Sequence, residues 1–495
     1  MAYRVLAWFL RVITRVFFRQ VEVVGLENVP ASGPVLFAGN HPNSLIDPIL
    51  IITTCGRKVH FAAKDSLFSG RLMRAILNGL GAVPVARKDD HDGKPRTKPA
   101  ENAAERPAAE RAAANDAAFA AMFDVLGGGG AIGIFPEGLS HDESQLAKLK
   151  TGAARLAIGG ATKNGQPITI VPCGLTFIHP KRFRSRVLVH YGTPIVIHPG
   201  QQTAPETVTT VTAELDVAMR RLTINAPDWD TVRALDVVRR LYQPQEISIE
   251  ERVELARRFN QYYASVAADP RVIDIMVRVR AYQQKLDELG ITDRELARDL
   301  SKFEITGRVL RHLVLVAIWL PLTAPGAPLH LPTVAFARIA GPRLTPRKDV
   351  VATTKLVVGM LLVMLSYAIA VSILWWRVGF TWALIAAIIL PLSGWATLRV
   401  LDRIRLVRRG LGVLVRQLRF RREVIQLRAE RDQLSTDVIR VVTEIKPAGV
   451  DQLFPPGDPR REDAGESWRA RKNADLDAEF DKDHAEDLAE ERDRE

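Results

Sequence analysis

Residues 356–376 and 378–398 form two runs without a charged side chain, separated only by Arg377. A helix needs about 20 apolar residues to cross the hydrocarbon of a bilayer, and soluble cores seldom need two adjacent runs of that length. The pair therefore reads as a transmembrane hairpin, with a buried helical pair of a soluble domain as the alternative. Arg338, Arg343, Arg347, Lys348 and Lys355 precede it, Arg399, Arg403, Arg405, Arg408 and Arg409 follow it, and Arg377 alone lies in the connection. By the positive-inside rule both large flanking portions face the cytoplasm, which predicts a multi-pass protein of the cell membrane.

The formal charge of +12 calls for an anionic partner. Because much of that charge borders the apolar runs, membrane lipids are expected and nucleic acid is not. Cys55 and Cys173 are the only cysteines, so both thiols are expected free, with no disulfide framework and no metal cluster.

Residues 1–20 place Arg4, Arg11, Arg15 and Arg19 along one helical face, with Trp8, Phe9, Val12, Val16 and Phe17 mainly elsewhere. This predicts an amphipathic interfacial helix, or else a helix docked on its own domain. Over 21–200, strand-like runs alternate with helical ones, from "PVLFAG" through "KVHFAA", "GAVPVA", "AIGIF" and "ITIVPCGLTF" to "RVLVHYG". That alternation predicts an α/β domain. Within it, 88–113 is rich in Ala, Pro and charge and reads as an exposed insertion.

A helical extension follows over 201–305, then a membrane region over 306–400. There Pro321, Pro325, Pro328 and Pro332 cut the apolar stretch 308–337 and predict a broken or re-entrant element. Residues 401–445 read as a basic cytoplasmic helix and 446–495 as a disordered acidic tail, with eleven acids against three basic residues over 475–495.

The stretch "GNHPNSLIDP" sets His41 after a strand and Asp47 near the start of a helix. Six residues of continuous helix would turn Asp47 away from His41, so the two meet only if His41 lies in the turn and folds back over the helix start. A carboxylate there would hold one imidazole nitrogen and leave the other free as a general base. A structural histidine, with Asp47 favoured by the helix dipole, is the plainer alternative. "GAVPVARK" ends a strand with Arg87 and Lys88, cations suited to phosphate. "IGIFPEGLSHDE" ends another with Glu137 and Gly138 in a sharp turn, and "IVPCGLTF" supplies a fourth strand end. His141 and Asp142 read as a solvated loop and Lys150 as an exposed lysine.

In order and spacing these four segments resemble the motif blocks of the glycerophospholipid acyltransferase family. "HPNSLIDP", "FPEGLSHDE" and "LKTGAARLAI" look most like its yeast-type glycerol-3-phosphate branch and bacterial relatives. The resemblance implies an α/β acyltransferase domain, its mixed sheet flanked by helices, joined to the helical extension and the C-terminal transmembrane hairpin. It implies transfer of a fatty acyl group from an acyl thioester donor, acyl-CoA or acyl-carrier protein, to a phosphorylated glycerol acceptor: glycerol 3-phosphate or 1-acyl-glycerol 3-phosphate.

In this reading His41 is the base, Asp47 orients it, Arg87 binds the acceptor phosphate, and Phe135, Pro136, Glu137 and Gly138 shape the substrate site. No metal or bound cofactor is called for. Two departures stand out. Five residues separate His41 from Asp47 where the common pattern has four, and Leu139-Ser140-His141 replaces the common Thr-Arg-Ser. Acylation of another lysolipid, or a catalytically idle membrane scaffold, are the rival functions.

Overall fold

The computed structural model describes residues 2–64, 68, 70–85, 108–200, 204–243, 247–297, 302–345, 347–446, 451–455 and 457–458. It divides into two compact units, Met1–Phe177 with Arg184–Thr223, and Ile178–Phe183 with Ile224–Glu495.

In the first unit the elements run α1 (Ala2–Phe17), β1 (Gln20–Val24), β2 (Val35–Gly39), α2 (Ile46–Thr54), β3 (Val59–Lys64), α3 (Arg71–Gly79), β4 (Val83–Val85), α4 (Ala108–Gly127), β5 (Ala131–Ile134), α5 (Gly152–Asn164), β6 (Ile168–Phe177), β7 (Arg186–Tyr191), β8 (Ile195–Ile197) and α6 (Pro205–Arg220). Among the described residues the strands form one sheet in the order β1-β7-β6-β2-β5-β3-β4, with β8 added to β6. The block from β6 through β2, β5 and β3 to β4 is parallel, whereas β7 and β8 run antiparallel to β6.

Each strand-like run of the sequence is a strand. The short β1 and β8 are additional. The apolar runs of β2 and β6 are nearly continuous because both faces of a parallel sheet are covered. Leu36, Ala38, Ile132, Ile168 and Ile170 pack with Met122 and Leu126 of α4, Leu156 and Ile158 of α5, and Leu215 and Met219 of α6.

Pro172 sits inside β6, where a missing N–H would normally break a ladder. Its carbonyl accepts from Gly192 N at 2.8 Å on the edge where β6 changes partner from β8 at Ile170 to β7 at Cys173. The missing donor thus faces a gap in the pairing. The expected insertion, 88–113, lies outside the described residues up to 107, and 108–113 form the first turns of α4.

Helix α1 is docked on its own domain, the second of the two expectations for it. Ala7, Thr14 and Phe17 are buried on the domain, Val59 N donates to Tyr3 Oη, and Arg11 Nε donates to Thr53 O. Val5, Trp8, Val12 and Val16 stay exposed on another face.

The second unit comprises α7 (Trp229–Tyr242), α8 (Ile249–Val266), α9 (Pro270–Leu289), α10 (Asp293–Ala297), α11 (Lys302–Thr323), α12 (Ala327–Leu344), α13 (Val351–Val378), α14 (Phe380–Arg419) and α15 (Arg421–Ile445). Helices α7, α9 and α15 build a core around Leu235, Val238, Ile275, Val279, Leu434 and Val438.

Helices α11, α13 and α14 are each long and apolar enough to cross a membrane. The turn between α13 and α14 is Gly379, at φ 107°. Beside it Trp375, Trp376, Phe380 and Trp382 are exposed, as expected of side chains at a membrane–water boundary. The apolar stretch 308–337 breaks at residues 324–326, so it is two helices, and its first arm has spanning length.

The break is fastened to α14, since Gly326 N donates to Ser393 Oγ, which donates to Thr323 O. His330 of α12 bonds Tyr367 Oη of α13 and Thr397 Oγ1 of α14. Because Thr323 meets Ser393 and His312 meets Arg403, α11 lies beside the last part of the charge-free run of α14 and the start of its basic part. The tip therefore reaches only partway along the α13–α14 pair.

Two boundaries differ from expectation. The second apolar run does not end as a helix at 398: α14 continues to Arg419, so the expected basic helix 401–445 is the end of α14 plus α15, broken at Phe420. The expected disordered tail, 446–495, begins with packed residues. Phe454 is fully buried and its carbonyl accepts from Tyr242 Oη at 2.9 Å; the residues from 459 onward lie outside the described set. Phe454→Ala should destabilise the helical unit by about 3–5 kcal/mol, the usual range for emptying a buried aromatic site. Denaturant unfolding in detergent, followed by the near-ultraviolet signal of Tyr242, checks this.

Candidate active site

The parallel strands β2 and β5 pair from Val35↔Ala131 to Ala38↔Ile134, so their carboxyl ends open at the same edge. Ligands of open α/β sheets bind at that edge. His41 follows β2 by two residues, and Phe135-Pro136-Glu137-Gly138 leaves β5 directly. Asn40 seats His41: its main-chain N donates to Cys173 O, and its side chain donates to Leu175 O and accepts from Leu175 N. The residue before the histidine thereby extends the β2–β6 pairing by one step.

His41 lies in the turn and folds back over the start of α2. Its Nδ1 is 2.8 Å from Asp47 Oδ2, which also accepts from Asn43 N at 2.7 Å. This is the one geometry that lets a histidine and an aspartate six positions apart meet. Between them Ser44 takes a φ of 48°, which is left-handed, a conformation uncommon outside glycine. Nδ1 faces a carboxylate, so it carries the proton, and Nε2 is an acceptor with no partner among the described residues.

Asp47 is wholly buried, and its Oδ1 has no hydrogen-bond partner among the described residues. Burial pushes its carboxyl above the usual carboxylate range, opposed by the bond and charge of His41 and by the Asn43 amide.

The imidazole stacks on Phe135 at 4.0 Å between centroids and 6° between planes, and Phe135 in turn lies against Phe61 at 5.6 Å. Gly133 makes room for this stack, since a Cβ there would fall 2.3 Å from the Phe61 ring. Glu137 is buried and faces inward. Its Oε1 accepts from His41 N at 2.9 Å, and its Oε2 from Ala147 N at 2.8 Å and from His141 Nε2. Gly138 takes φ 77°, and a Cβ on it would fall 2.5 Å from Lys150 Nζ, so this lysine lies over the turn although it is otherwise exposed.

Of the expected site residues, His41, Asp47, Phe135, Pro136, Glu137 and Gly138 come together. Arg87 lies outside the described residues; β4, which precedes it, ends at the same edge of the sheet. His141 is not a solvated loop residue. It is largely covered and tied to Glu137, a placement foreshadowed only by its spacing of four from that glutamate. Cys173 is buried and free, as is Cys55, and burial pushes both thiols up, that of Cys55 to about 11.

Nothing in this constellation requires a nucleophilic side chain. A neutral imidazole with one nitrogen held and the other open is arranged to remove a proton from a hydroxyl.

Asp47→Asn tests that arrangement, because an amide can present its NH₂ to Nδ1 and favour the wrong tautomer. Activity should drop about 10²–10⁴-fold. In the unmodified protein activity should fall as pH falls, because burial raises the Asp47 carboxyl and its protonation removes the charge that faces the imidazole. Rates measured across pH for both forms check this.

Residues 20–176 match the family model described as Acyltransferase, and residues 234–450 match that described as Glycerol-3-phosphate acyltransferase 2 C-terminal domain. Among curated proteins the chain is 26% identical to Glycerol-3-phosphate O-acyltransferase 2 of Saccharomyces cerevisiae, over 74% of this chain and 64% of that protein. It is also 26% identical to Glycerol-3-phosphate O-acyltransferase 1 of the same yeast, over 72% of this chain and 59% of that protein. The chain thus spans less than two thirds of the length of either yeast protein. Among solved structures it is similar to the 1-acyl-sn-glycerophosphate acyltransferase PlsC of Thermotoga maritima, with 20% identity, a TM-score of 0.31, and coverage of 44% of this chain and 77% of that one.

Proposed function

We propose, from the chain's membership of the glycerophospholipid acyltransferase family, that it moves a fatty acyl group from an acyl thioester to a hydroxyl of a phosphorylated glycerol acceptor at a membrane surface. The observation that carries this reading is the His41–Asp47 pair at 2.8 Å, with Nε2 of the imidazole open at the carboxyl ends of β2 and β5.

Nε2 takes the proton of the acceptor hydroxyl while its oxygen attacks the thioester carbonyl. The tetrahedral intermediate collapses by breaking the C–S bond. The imidazolium returns its proton to the departing thiolate, so the products are an ester and a free thiol. Asp47 holds the tautomer and faces the imidazolium as it forms. A positioned base of this kind contributes about 10²–10⁴-fold. Arg87 is the proposed partner of the acceptor phosphate, where a guanidinium offers two parallel donors.

Glycerol 3-phosphate is the favoured acceptor, because both yeast relatives are named for it; 1-acyl-glycerol 3-phosphate presents the same phosphate. The donor is acyl-CoA or acyl-carrier protein. The α13–α14 pair is the proposed anchor, its basic flanks on the cytoplasmic side.

His41→Ala should abolish transfer while the protein still accumulates in membranes. With purified protein in lipid and one acyl thioester, each acceptor is supplied separately. Retention of more than a percent or so of turnover in His41→Ala would reject the mechanism, given the value of a general base. Arg87→Ala should raise KM for a phosphorylated acceptor, and lower kcat as well if the contact also positions the hydroxyl.

Sidedness has its own test. A cysteine placed at Arg377 should be labelled from the far side of the membrane and one at position 100 from the cytoplasm. The opposite pattern reverses the topology.

A further inference from the structure

The chain departs from the common family pattern at two places, the additional residue between His41 and Asp47 and the Leu139-Ser140-His141 segment, and the structure brings the two into contact. Ser44, the left-handed residue between His41 and Asp47, donates its main-chain N–H to Ser140 Oγ at 3.0 Å. His141 N donates to His41 O at 3.1 Å. The His141 ring meets Glu137 Oε2 through Nε2 and accepts from Glu143 N on Nδ1 at 3.3 Å. With Nδ1 accepting, Nε2 carries the proton and donates it to the carboxylate. The same carboxylate accepts from His41 N through Oε1. The peptide groups on either side of His41 are therefore held from one loop, the carbonyl by the His141 amide and the N–H by a carboxylate that the His141 ring orients.

We propose that His141 is a positioning residue of the acyl-transfer site, fixing the main chain of His41 directly through its own amide and indirectly through Glu137. The proposal rests on the acyl-transfer reading of His41. Its physical content is independent of substrate: without the ring, a buried oxygen of Glu137 loses one of its two donors, and a buried carboxylate short of donors rotates or recruits water. Either change loosens the acceptor of His41 N. Displacement of a catalytic group by about 1 Å costs on the order of 10²-fold in rate.

Two measurements on the full-length protein in lipid decide the matter. In kinetics with glycerol 3-phosphate and an acyl thioester, His141→Ala should lower kcat by about 10–100-fold, leaving KM for both substrates within about threefold. His141→Gln, whose amide N–H can reach the same oxygen, should recover most of the loss. In hydrogen exchange without substrate, His141→Ala should speed exchange of the amides over 39–47, and His141→Gln should not.

Unchanged kcat with unchanged exchange overturns the proposal. A loss confined to acceptor KM overturns it too, because it would make His141 a substrate contact. If wild-type protein turns over no phosphorylated glycerol acceptor, the functional reading fails and the exchange experiment still decides whether His141 holds the loop. Should His141→Ala fail to fold, Ser140→Ala removes the hydroxyl that accepts from Ser44 N. It should speed exchange over the same loop, and wild-type exchange there would overturn the clamp.

Discussion

The parallel pairing of β2 with β5 is the constraint on which the first unit and its candidate site depend. Its last matched residues are Ala38 and Ile134, and the residues three positions beyond them are His41 and Glu137, which meet through a main-chain N–H and a carboxylate. The two loops therefore leave the sheet in step. A slip of one residue would turn every side chain of one strand to the other face and send the buried Phe37 or Ile132 into the wrong layer. The apolar matching that sets the register of the core thus also sets the register of His41 against the carboxylate that holds its peptide. Gly133 and Gly138 belong to the same constraint, the first leaving room for the aromatic stack and the second making the turn after Glu137.

Much of this was legible in the chain. Strand-like runs ending in polar, turn-forming blocks are a signal of short range, and each run that was read is a strand. The meeting of His41 with Asp47 followed from counting residues per helical turn. What stayed hidden depends on contacts distant in sequence. His141, expected in a solvated loop with Asp142, is covered because its partner Glu137 is turned inward by His41 and Ala147, one of them 96 positions away. Ser44 carries no sign of a left-handed backbone, since serine adopts one only when surrounding bonds hold it. Phe454 sat in a segment judged by its charge, and one aromatic ring with a core waiting for it outweighed that composition.

The helical unit shows the same limit from another direction. Charge-free length located α13 and the first half of α14 but not where α14 stops, because the arginines after 398 are good helix formers and nothing there breaks the helix before Phe420. Of the four prolines expected to cut 308–337, only Pro325 lies at the break, and packing decides which of them matters. Pro321 and Pro332 are accommodated inside helices, and the chain turns at 324–326, where Ser393 satisfies Gly326 N and Thr323 O. In hydrocarbon an unpaired main-chain group costs several kcal/mol, so a turn is tolerated where a neighbouring helix supplies the partner.

The environment of Asp47 bears on how the proposed base would gain rate and not only affinity. A carboxylate with no solvent contact and one oxygen without a partner among the described residues is a poor place for an isolated negative charge, and burial raises its pKa accordingly. While the imidazole is neutral, that cost is offset only by two N–H donors, His41 Nδ1 and Asn43 N. When Nε2 takes the acceptor proton, the ring becomes a cation at 2.8 Å, and the same low dielectric that penalised the lone anion strengthens the pair. The interaction is therefore stronger once the proton has moved than before. Only interactions of that kind lower the barrier instead of deepening the ground state. A solvated aspartate at the same distance would orient the ring equally well and lose most of this difference. The burial of Asp47 beneath the first turn of α2 is thus as much a part of the proposed chemistry as its contact with His41.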